Sequence, residues 1–139
     1  MEWAALISWI VTAAGGFVLL AIWISRGGMQ QREGGRIRPA LILSHFGLAA
    51  IGLVLWIVYV VNDSDTLAWI AFALLVVVAA LGWTMFAIWW RRRQMGAAAG
   101  AVAEPAEPAE QHFPIPVVAV HGLLAVTTIV LVLLAALEV

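Results

Sequence analysis

An all-α fold, a four-transmembrane-helix up-down-up-down bundle built from two tandem helical hairpins, follows from three observations. The chain of 139 residues is 65% hydrophobic and only 11% charged, with a mean hydropathy of +1.05, well above what a water-soluble domain carries. Four segments contain no Asp, Glu, Lys or Arg: Trp3 to Ser25, Pro39 to Val61, Leu67 to Trp90 and Phe113 to Leu137. Each reaches the roughly 20 residues needed to cross a hydrocarbon core of about 30 Å. Third, the second half of the chain repeats the first. Lipid offers backbone groups no partners, so spans of this length are predicted to be helices.

The first span begins after Glu2, not after a basic region, and its apolar run exceeds that of a signal core, so it is expected to stay as a helix. Arg26, Arg32, Arg36 and Arg38 follow it, and Arg91, Arg92 and Arg93 follow the third span. Basic residues of short loops concentrate on the cytoplasmic side, which predicts that both Arg-containing loops are cytoplasmic. The turn Asn62 to Asp65 and both termini then face outward, and the expected setting is a bacterial plasma membrane. Trp23, Trp89 and Trp90 at the inner surface, with Trp3, Tyr59 and Trp69 at the outer one, are expected to be interfacial anchors. Between the third and fourth spans, Gly96 to Gln111 is an Ala/Pro/Glu-rich tract expected to be a flexible linker.

The repeat divides the chain into hairpin 1 (residues 1–61) and hairpin 2 (residues 67–139). A shift of 66 positions places Trp3, Ala5, Gly16, Trp23 and Arg26 on identical residues of the third span, among ten identities in 24 positions. A shift of 76 places His45, Leu48, Ala49, Val54 and Leu55 on His121, Leu124, Ala125, Val130 and Leu131, and the linker accounts for the extra ten. The hairpins are therefore expected to be related by a pseudo-two-fold axis along the membrane normal.

That symmetry frames the question posed by the two histidines. An ionisable residue inside a span is costly and points to function, the alternative being a histidine that only hydrogen-bonds a carbonyl across a helix interface as structural glue. The second and fourth spans lie diagonally across such a bundle, about 12 to 14 Å apart if neighbouring axes are 8 to 10 Å apart. Two imidazoles at one depth reach inward across that gap, which suits axial ligands on opposite faces of one flat macrocycle. Small residues follow on the same helix face: Ala49 and Gly52 after His45, Ala125 and Thr128 after His121. Arg36, Arg38 and His112 are placed to meet carboxylate arms of such a group. Ser44, Thr127 and Thr128 are candidate hydrogen-bond partners of the ligands. Gly15, Gly16 and Gly82 read as positions of close helix packing.

Cysteine is absent, which removes thiolate metal sites, iron–sulfur clusters and covalent haem attachment. Two imidazoles alone leave zinc or copper short of ligands, whereas they complete haem b. A chlorin, which needs one histidine per magnesium, stays open. The plan of four spans with paired histidines resembles the four-helix membrane b-type cytochromes. That resemblance implies electron transfer to or from quinone or a partner redox complex. Di-haem members of that class carry two histidine pairs at different depths and this chain carries one, which speaks against electron transfer across the whole membrane.

A cofactor-free accessory subunit of a larger membrane complex, or of a homo-oligomer, is the main alternative. A transporter lacks an intramembrane carboxylate for coupling, and no nucleophile, base and orienting acid share a helix, so hydrolytic and transfer chemistry are not expected. A net charge of −1, with arginines placed by membrane orientation, gives no nucleic-acid surface. Lipid is the expected surrounding.

Overall fold

In a computed structural model of the chain, residues 1–30, 37–98 and 108–138 are described. Four helices follow one another: α1 (Glu2–Ser25), α2 (Pro39–Asn62), α3 (Asp65–Ala98) and α4 (Ile115–Leu137). Short 3-10 turns precede the second and fourth at Gly28–Gln30 and Ala109–His112. Each of the four is long and apolar enough to span a bilayer, and the fold is an all-α four-helix bundle of a multi-pass membrane protein.

Local chemistry sets the boundaries. Pro39 and Pro116 sit in the first turns of α2 and α4, where a missing N–H costs nothing. Asp63 ends α2 in the left-handed region at φ 53°, with its N–H on Tyr59 O at 2.8 Å. The sequence places the end of the third span at Trp90, but α3 continues through the arginines to Ala98. Arg, Gln, Met and Ala are strong helix formers and the segment holds no proline, so the helix runs past the bilayer edge and through Gly96.

The hairpins interlock. α1 lies chiefly along α4 and α2 chiefly along α3, so each helix makes its main contact with the other hairpin. The half of the bundle that carries the chain termini has a solid core, in which Trp9, Trp56, Tyr59, Leu75 and Val132 are buried together. Ala5, Ala68, Ala71 and Ala135 let the backbones approach there. The Trp56 indole donates to Glu2 O at 3.3 Å.

Two expectations change. Trp3, Trp69 and Trp90 face outward as anchors do, but Trp23, Trp89 and Tyr59 are at most 3% exposed and belong to the interior. An amphipathic ring at a span end serves equally well as an internal plug where the helices leave room for it. The linker tract also differs: residues 96–98 continue α3, residues 99–107 lie outside the described residues, and Ala109 and Glu110 are fully buried. Glu110 accepts the Ile37 N–H at 3.1 Å, which ties the approach to α4 onto the approach to α2. The free backbone donor ahead of a helix outweighs the polar composition of the tract.

Candidate functional site

His45 on α2 and His121 on α4 meet across the bundle with ring centroids 6.4 Å apart and ring planes at 67°. Each ring is gripped by a helix of the opposite hairpin. His45 Nδ1 lies 2.9 Å from Val78 O on α3, and His121 Nδ1 lies 2.9 Å from Thr12 O on α1. The acceptors Thr12 and Val78 are 66 residues apart, the same shift that superposes α1 on α3 in the sequence. A carbonyl can only accept, so in both rings Nδ1 carries a proton, and in the neutral imidazole Nε2 then carries the lone pair. Two neutral imidazoles with fixed tautomers and a free basic nitrogen are the form in which histidine binds a metal, the other ring nitrogen being held by a carbonyl.

A glycine one turn after each acceptor makes the approach possible. A Cβ on Gly16 would stand 3.1 Å from His121 Cε1, and a Cβ on Gly82 would stand 3.1 Å from His45 Cε1. Gly15 also faces His121, with Nδ1 3.5 Å from the corresponding point. These glycines are packing positions as the sequence suggests, but what packs on them is the imidazoles. The signal was present in the repeat, where Gly16 and Gly82 coincide while Gly15 meets Leu81.

The level of the histidines is also where residue burial is lowest. Residues 13–22, 38–51, 79–88 and 113–127 include no fully buried residue. At 1.5 Å per residue, ten residues of helix correspond to about 15 Å of bundle length. Burial resumes on the Arg-bearing side at Trp23, Ile37, Trp89, Ala109 and Glu110.

The remaining sequence candidates divide. Ala49 and Ala125 are half-buried on the histidines' own helices, one turn on from each ring. The room left by Gly52 is taken by Trp9, 3.1 Å from where a Cβ would be. The Thr128 hydroxyl donates to Leu124 O at 2.8 Å and pairs with Ser8 Oγ and Thr12 Oγ1 at 2.8 and 3.0 Å, locking α4 to α1. Thr127 donates to Leu123 O of its own helix and Ser44 is exposed, so backbone carbonyls take the supporting role foreseen for hydroxyls. Arg38 is exposed at the N-cap of α2, His112 closes the 3-10 turn before α4, and Arg36 lies outside the described residues.

Among the described residues, no three His, Asp or Glu side chains gather to hold a metal ion. The ring-centre separation of 6.4 Å can be compared with that of two imidazoles on one metal that brings its own equatorial ligands. A metal–imidazole bond of about 2 Å plus about 1 Å to the ring centre puts two axial imidazoles about 6 Å apart, centre to centre. Comparison with family models, with curated proteins and with solved structures gives no match for this chain.

Proposed function

We propose that the chain is a membrane-embedded b-type haem protein in which His45 and His121 take one iron from its two sides. Its role is to pass single electrons to or from a quinone or a partner redox complex. The observation that carries the reading is the symmetric pair of Nδ1-anchored imidazoles 6.4 Å apart. With haem bound, the iron supplies one-electron chemistry between its ferric and ferrous states. The Thr12 and Val78 carbonyls orient the imidazoles and raise their basicity as ligands.

The packed core around Trp9 and Trp56 supports exchange at one end only, since it fills the half of the bundle nearest the termini. With the arginine loops on the cytoplasmic side, electrons enter and leave on that side, and the quinone or redox partner is met there. Visible spectra of the detergent-purified protein, oxidised and then reduced, test the reading. Sharp split bands of six-coordinate low-spin haem are expected. A reduced chlorin-type spectrum would replace iron by magnesium. No Soret band in protein made with haem available would leave a cofactor-free accessory subunit.

A further inference from the structure

Trp23 and Trp89 are the deepest aromatic residues on the Arg-bearing side, 0% and 2% exposed, and they coincide under the 66-residue repeat. Among the described residues neither indole Nε1 has a hydrogen-bond partner. A buried indole N–H normally finds an acceptor, and leaving one unmet is costly. Two such orphans related by the internal symmetry call for one explanation. Each follows its ring-packing glycine, Gly16 or Gly82, by seven residues, which is two turns and about 10 Å along the same helix face. The two donors therefore sit below the two histidines, on the helices that grip them.

Resting on the haem reading, we infer that Trp23 and Trp89 each donate a hydrogen bond from Nε1 to one of the two propionate carboxylates of haem b. The symmetry of the ligand matches that of the protein. An axis through the iron and between the propionates exchanges the two faces of haem and the two acid arms together. The pseudo-two-fold axis of the bundle exchanges His45 with His121 and Trp23 with Trp89 in the same way. The order along the helices then fixes the cofactor's direction, with the acid arms toward the arginine loops. Indole donates only, so it suits a carboxylate and not a neutral donor.

The surrounding groups agree. Gly28 lies against the Trp23 ring so closely that any side chain there would collide with it, which holds the indole in place. Arg93 lies over the Trp89 ring, 5.6 Å from its centre, and adds positive charge at the same end. Among the described residues the Gln111 amide nitrogen is a further buried donor without a partner. Glu110, the one acid buried there among the described residues, has Oε1 on the Ile37 N–H and Oε2 without a partner, so it accepts from neither indole.

The test compares haem b with its dimethyl ester, in which both acid arms are capped, by Soret titration of the detergent-solubilised apoprotein. Wild type should prefer haem b, and Trp23→Phe or Trp89→Phe should each reduce that preference about tenfold, the size of one charge-assisted hydrogen bond. A plain packing defect weakens both ligands alike and leaves the ratio unchanged. Wild type binding the two equally, or phenylalanine variants that keep the full preference, would overturn the assignment while leaving the haem reading intact. A titration in which neither ligand develops the shifted, sharpened Soret band of bound low-spin haem would remove both.

Discussion

The Trp9 ring occupies the space that Gly52 leaves open, with two of its carbons 3.1 Å from where a Cβ would stand. This contact closes the solid half of the bundle immediately beyond the histidine level. Gly52→Ala should destabilise the protein by about 1 to 3 kcal/mol as an overpacking change, less the fraction of a kcal/mol that alanine gains in a helix. Gly47→Ala, where nothing lies within 4 Å, should be neutral or slightly stabilising. Denaturation in detergent compares the two.

His45→Ala and His121→Ala should each abolish the low-spin haem spectrum while the helices still insert. In apoprotein the same changes cost only an interhelical hydrogen bond, about 0.6 to 2 kcal/mol. Loss of the spectrum in one variant alone, with its partner unaffected, would contradict the symmetric site.

Gly16→Ala and Gly82→Ala should turn the imidazole that packs on each, because the added methyl group meets Cε1 at 3.1 Å. Planes crossed at 67° predict a strongly axial low-spin paramagnetic resonance signal in the oxidised protein. Its low-field feature should shift in both variants. Gly122→Ala, with nothing near its Cβ, should leave the signal where it was.

Glu110→Ala removes the acceptor of the buried Ile37 N–H and should cost about 1 to 3 kcal/mol. Glu110→Gln keeps an acceptor and should cost less. Deleting three residues from within 99–107 should change stability by under about 1 kcal/mol, since loop closure varies slowly with length. Thermal melts of the three variants give the order.

Orientation is tested with single cysteines at Ser64 and Ala106, labelled from outside intact cells. Ser64→Cys should react and Ala106→Cys should not, as expected when the arginine loops are cytoplasmic. The reverse pattern would move the proposed electron-exchange end to the other face.

The four helices were legible because lipid leaves few choices, and the paired histidines because the repeat set them side by side. Their supports were harder to read. A carbonyl has no letter in the sequence, so the Nδ1 partners at Thr12 and Val78 could only come from coordinates, and hydroxyls such as Thr127 drew attention instead. The glycines were visible but ambiguous, since helix packing and ring packing use the same residue. Trp23 and Trp89 looked like anchors because an aromatic at a span end faces lipid or interior according to how its neighbours are arranged. Glu110 was hidden by a polar, repetitive neighbourhood that suggested only spacing.

Because each histidine is gripped by the opposite hairpin, the site has an order of assembly during synthesis. His45 emerges early but must wait for Val78 and Gly82, while Thr12 and Gly16 wait for His121, 76 residues behind His45. Neither hairpin alone presents an anchored pair. On the haem reading, the cofactor can be captured only after the last helix has returned to the first, so a nascent chain would carry no half-built redox centre through the insertion machinery.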